Sequence, residues 1–201
     1  MLDHVFTDAI GALRDAFANA YLERQAFEEH FQSDILLGDL VWETTYGLPG
    51  EGLPPRVVAH ITLNWPSWSQ ATYRQWYVEE EIDQQPAIEI EVVFRIQRLA
   101  EQPSPTVVND VATEHSPKIG DEQLERDNIT IEISHPFHGE RSADYALEIT
   151  YEGQYDRAEE TLIDGASKIL DEHFGVLGAW VASTLVKLGD LNLGFVPAEE
   201  L

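Results

Sequence analysis

The sequence predicts an α+β fold in two layers: about six antiparallel strands in a curved sheet, flanked by N- and C-terminal helices. Three observations carry this. Apolar side chains near the N-terminus recur at helical steps, extended runs in the middle alternate apolar and polar residues, and the C-terminal region returns to a helical period. Each well-formed strand pattern has one apolar face, and helices laid on one side of a sheet bury such faces most simply.

Residues 2–31 are expected to be helical, because Leu2, Val5, Phe6, Ala9, Leu13, Phe17 and Tyr21 form one apolar stripe. Asp3 and Asp8 stand near its positive end, where acids are favoured. After Gln32–Asp34 breaks the pattern, "ILLGDLVWETTY" (Ile35–Tyr46) predicts a strand, Gly47–Pro55 a turn and Arg56–Trp65 the next strand. The glycines of "GLPGEGLPP" lack the Lys-Ser/Thr of a phosphate loop and suit a hairpin connection. Pro66 cannot donate to a ladder and marks a bend, after which "SQATYRQWYVEE" (Ser69–Glu80) is expected to resume as a strand.

Ala87–Leu99 is the clearest strand. Ile88, Ile90, Val92, Phe94 and Ile96 share one face, while Glu89, Glu91, Val93, Arg95 and Gln97 share the other. Residues 100–127 show no sustained period and predict a long loop or arm within a single domain spanning 1–201. Asn128–Ser134 and Ser142–Gly153 are expected strands joined by "HPFHGE", with Ile129, Ile131, Ile133, Tyr145, Leu147, Ile149 and Tyr151 pointing inward. Residues 157–188 predict a second helical region, which Gly175 and Gly178 weaken enough to allow a kink.

Composition bounds the function. The chain has 201 residues, no cysteine and 37 acidic against 12 basic residues, a formal net charge of −25. Disulfides, thiolate metal sites and cysteine nucleophiles are excluded. Such a surface opposes nucleic-acid phosphates, so the expected partners are proteins, with no direct nucleic-acid binding. Only Lys118, Lys168 and Lys187 are lysines, a balance that resembles the proteins of salt-in halophiles. In about 1 M salt the screening length falls to roughly 3 Å and self-repulsion largely disappears. The start "MLDHVFTDAI" has no Lys or Arg and does not resemble a secretory signal; the apolar run Phe174–Val186 is short for a membrane span. A cytoplasmic or virion location is expected.

"LNWPSWSQATYRQW" holds three of the five tryptophans. In an extended chain both of its faces would carry rings, one facing the core and one available to another element or a partner. Trp65, Trp68, Tyr73, Arg74, Trp76 and Tyr77, with Trp180 from the last helix, are therefore the expected partner-binding residues. His135, His138 and Glu140 offer two imidazoles and a carboxylate, but a metal site needs further supported ligands and a polar turn explains them; no metal and no cofactor are assigned. His173, on the apolar side of the last helix, suits a hydrogen-bonded core or interface residue. No nucleophile elbow, zincin motif or dinucleotide fingerprint occurs, and no catalytic residue is assigned.

The N-terminal amphipathic pattern, followed by "AIEIEVVFRIQRL" and "SADYALEITYEG", resembles the small tail-terminator and tail-completion proteins of tailed viruses. That resemblance covers the pattern of residues 2–153 and implies a non-enzymatic ring component at the end of a tail tube. The C-terminal helical segment departs from the simplest members. The resulting expectation is a structural or assembly protein forming homo- or hetero-oligomeric interfaces, from a halophilic system. Two alternatives stand beside it: a helix-gripping small-molecule binder or enzyme using Tyr145, Tyr151, His173 and Trp180 around a cavity, and an acidic inhibitor, immunity protein or DNA mimic using clusters such as Glu79–Asp83.

Overall fold

The computed structural model describes residues 8, 10–15, 30–36, 38–48, 55–79, 84–135, 143–156 and 167–197. It has the α+β architecture: one six-stranded antiparallel sheet with helices and a long folded loop on its inner face. The strands are β1 (His30–Leu36), β2 (Asp39–Gly47), β3 (Val57–Trp65), β4 (Ala87–Leu99), β5 (Glu125–Ser134) and β6 (Asp144–Asp156), in the spatial order β1-β2-β3-β4-β6-β5. Residues 10–15 are helical (α1); α2 spans Ser67–Glu79 and α3 spans Ser167–Gly189.

The period-2 patterns give the sheet its inner face. Val57, Ala59, Ile61 and Leu63 of β3 stand opposite Ile96, Phe94, Val92 and Ile90 of β4, and all are buried. On the other side of β4, Phe94 and Ile96 meet Ile149 and Leu147 of β6. Phe174, Leu177, Val181, Leu185 and Leu188 of α3 are buried in the same core. α3 is one continuous helix across Gly175 and Gly178, not two: burial of this stripe outweighs roughly 1 kcal/mol per glycine of lost helix propensity.

Four sequence expectations need correction. "ILLGDLVWETTY" is two strands, not one, because Gly38 takes a positive φ of 93° and turns β1 back onto β2. The N-terminal helix does not reach residue 31, since His30 and Phe31 are already paired with Thr45 and Thr44; residues 2–7, 9 and 16–29 lie outside the described residues. Ser69–Glu80 is not a strand: Ser67–Glu79 is α2. Inward burial fades along β5, where Ile129 and Ile131 are half-buried and Ile133 is 51% exposed.

The segment 100–124 is a loop, as expected, but it folds back as a lid on the core. Val108, Ala112, Ile119 and Leu124 are buried. Arg126 donates to Ala112 O at 2.6 Å, and Tyr151 OH donates to Thr113 O at 2.7 Å. Gly153 permits the approach: a Cβ there would lie 2.8 Å from Leu124 Cδ2 and 3.2 Å from Gln123 O. A β-bulge between Arg126 and Ile129 then returns β5 to the register that points its isoleucines inward.

Candidate interaction surface

The aromatic stretch becomes a helix whose inner side is pinned by buried polar groups. Asp39 Oδ1 accepts from Ser67 N at 2.6 Å, satisfying one of the orphan donors at the α2 N-terminus. Ser69 Oγ accepts from Trp65 Nε1 and from Ala87 N, and donates to Ala87 O, all at 2.8–2.9 Å. Gln70 Nε2 donates to Gly38 O and Trp65 O. One hydroxyl and one amide thus tie α2 to the β1–β2 turn, the end of β3 and the start of β4.

This geometry sorts the expected binding residues into two groups. Trp65 is fully buried, and Tyr73 packs against it edge-on at 5.9 Å; both belong to the core and are withdrawn as contact residues. Trp76 is half-buried beside Tyr73, with centroids 5.9 Å apart. Trp180 fills the inner layer, edge-on to Phe94 at 5.5 Å and to Tyr151 at 5.0 Å. The side chain of Tyr77 lies outside the described residues. Trp68, 38% exposed, and Arg74 remain on the surface, joined by Ala71 and by Val78 at 78% exposed.

Val78 is the surface residue that sequence reasoning missed, because the extended reading placed it beside the wrong neighbours. A signal was present. Ser69, Tyr73 and Trp76 recur at steps of four and three, the inner face of a helix. A second signal is charge. Acids make up roughly one residue in five of this chain, yet none occurs from Gly52 to Val78, its longest acid-free run. The exposed side of α2 thus carries an indole, a valine and a guanidinium within that run, and Trp and Arg are residue types enriched at binding surfaces in general.

Of the four residues expected around a sheet–helix cavity, Tyr151 is buried and Tyr145, His173 and Trp180 are half-buried. Tyr151 is buried, and its burial pushes the phenol up to about 12, only partly opposed by the Arg126 charge. Tyr155 OH lies 2.8 Å from His173 Nδ1, so His173 is a hydrogen-bonded residue on the margin of the core. Along Phe174–Val186, Phe174, Leu177, Val181 and Leu185 are fully buried and Val176 is exposed. His135 is exposed; His138 and Glu140 lie outside the described residues. Among the described residues no three His, Asp or Glu side chains are grouped to hold a metal.

The outer face of the sheet is wet and acidic. Glu43, Thr62, Glu91, Glu152 and Glu125 are consecutive partners across five strands, so Glu91 and Glu152 stand directly opposite. An open depression of about 550 Å³ lies beside them, lined by Asn64, Glu89 and Gln154 among others. Arg95 is the cation of this face: it bonds Glu132 at 2.7 Å and also Glu148, joining β4, β5 and β6. Burial alone would lower the guanidinium pKa, but the two carboxylates outweigh it and hold the group above its ordinary value.

These features define a two-layer α+β domain with a buried apolar core, an acidic open sheet and one helix, α2, that exposes Trp68, Ala71, Arg74 and Val78. No family model matches the chain, and no curated protein and no solved structure matches it. No helix among the described residues is long and apolar enough to cross a membrane.

Proposed function

We propose that this is a non-enzymatic assembly protein that docks through the exposed face of α2 onto another protein, in the first instance a further copy of itself. The observation that carries the reading is the α2 face itself: Trp68, Ala71, Arg74 and Val78 exposed on a helix whose inner side is already anchored. Covering Val78 and the exposed part of Trp68 supplies on the order of 1–3 kcal/mol of hydrophobic free energy per side chain at most. An indole with an adjacent guanidinium is the type of pair that dominates binding hot spots. The edge-on contacts of Trp180 with Phe94 and Tyr151, which occupy space that a gripped ligand would need, support assembly over the ligand-gripping alternative. A closed ring of identical subunits, as in the viral tail proteins that the sequence resembles, is the setting in which one such patch meets a different surface of its neighbour. High salt, as in a halophilic system, would permit this despite the charge of each chain.

The experiment is sedimentation velocity of the whole chain in high salt, comparing the wild type with Trp68→Ala and Val78→Ser. The reading expects the substitutions to shift the distribution towards monomer while the circular dichroism melt stays within about 0.5 kcal/mol of wild type, as for a surface change. Unchanged sedimentation in both variants overturns it.

A second reading is favoured by one observation, the row of carboxylates on the outer face. An acidic inhibitor or nucleic-acid mimic would present such a row to a basic partner. Its binding would collapse between low and moderate salt, whereas α2-mediated assembly strengthens there.

A further inference from the structure

We infer that β5 is a second interface, separate from α2, at which two copies of this chain pair edge to edge in one antiparallel register centred on Ile131. The strand lies at the end of the sheet, with β6 as its single strand neighbour. Among the described residues its outer edge is met only at the start, where His115 bridges Glu125 and Arg126 N donates to Glu114 O. Beyond that point Asp127, Asn128, Thr130, Glu132, Ile133 and Ser134 are exposed. An edge strand with free backbone groups is a template for another strand unless lysine or other charges, proline or a bulge blunts it. In β5 the bulge and the charges Glu125, Arg126 and Asp127 lie in the first half, and Glu132 is held by Arg95, while lysine and proline are the remaining devices. This one carries neither.

The occupant is argued from self-complementarity. Isoleucines at 129, 131 and 133 face the inner side of the sheet. Only the register that places Ile131 opposite Ile131 pairs all three with isoleucine, because Ile129 then faces Ile133 in both directions. That pairing repeats the same contact about a two-fold axis, the mark of an isologous interface. Ile133, half in water in the single chain, would gain an apolar neighbour.

Charge favours the same register. On the outer face Thr130 meets Glu132, whose carboxylate is already held by Arg95 of its own chain. Asn128 meets Ser134, and Asp127 meets His135. No acid faces an acid. Moving the axis by one residue to Glu132 would set two carboxylates against each other, and moving it to Thr130 would leave Ile133 opposite Asp127.

Because the chain has no cysteine, single introduced thiols report the register. Residues directly opposite in an antiparallel pair have Cα atoms about 4.5–5.5 Å apart, within disulfide range. The test oxidises full-length Ile131→Cys in about 1 M salt, where self-repulsion is screened. The expected result is a disulfide-linked dimer forming at least about tenfold faster than with Ile129→Cys or Ile133→Cys alone, and a fast mixed dimer when those two are combined. If Ile131→Cys fails to fold, an equimolar mixture of Thr130→Cys and Glu132→Cys, both at exposed positions, reads the same register. Absence of linked dimer, or equal rates at every position, overturns the inference. Repeating the measurement in a Trp68→Ala background separates the two surfaces: loss of α2 docking leaves β5 linkage intact, and failure of β5 linkage leaves the α2 reading standing.

Discussion

Ser69 and Tyr151 show how single polar groups hold this fold. Ser69→Ala removes a hydroxyl that satisfies the Trp65 indole and both backbone groups of Ala87 in a buried setting. The expected loss is about 1–3 kcal/mol in denaturant unfolding, the cost of stranding buried polar partners. Tyr151 titrates in a definite window. Its ionisation is pushed from the ordinary value of 10 to about 12 by burial, so the unfolded chain loses the phenolic proton first. The stabilisation it gives is complete below pH 10 and disappears as pH climbs towards 12. Unfolding measured across that window should show a decline that Tyr151→Phe reduces; an identical decline in the variant would show that other groups cause it. None of this was visible in the sequence. The pattern placed Tyr151 on the inner face, but its bond to Thr113 depends on where an aperiodic loop comes to rest.

Among the elements, those with strict alternation were legible. Val57–Trp65, Ala87–Leu99 and Tyr145–Tyr151 repeat apolar residues at period two, and their inward sets are the buried ones except for the half-buried Tyr145. α2 was misjudged for a physical reason: Trp and Tyr fit strand surfaces well, so their density imitates strand propensity. Its helical state is set by tertiary bonds from Ser67, Ser69 and Gln70, which pattern cannot reveal. Which of the expected contact residues reach the surface was not legible: Trp68 and Arg74 do, while Trp65 and Tyr73 do not. The folded state of residues 100–124 rests on Gly153, where no Cβ blocks the loop. Gly153→Val should therefore cost about 1–3 kcal/mol through overpacking and should speed hydrogen exchange in the loop before the rest of the sheet. Uniform exchange across the two regions would mean that the loop and sheet open together. The facing pair Glu91 and Glu152 carries like charges on neighbouring strands, so Glu91→Gln should stabilise the chain by roughly 0.2–1 kcal/mol in dilute buffer and by less in concentrated salt. A stabilisation independent of salt would argue against repulsion as its cause.

At the scale of the molecule, charge and shape act together. α3 and the loop pack into the core on the inner face, the outer face is carboxylate-rich, and α2 exposes Trp68, Ala71, Arg74 and Val78 from the longest acid-free run of the sequence. A net charge of −25 keeps copies apart in dilute buffer, and that barrier falls as the screening length shortens. Composition made this much legible in advance, since the excess of acids needs no structure to count. Which surface lacked them became meaningful only once α2 was known to be a helix with an exposed side. The most direct measurement is light scattering of wild type and Trp68→Asp across a salt series. Discrete oligomers of the wild type at high salt, with a folded, monomeric Trp68→Asp, are expected. A wild type that stays monomeric at every salt concentration, or a Trp68→Asp chain that assembles as well as the wild type, would contradict assembly through α2.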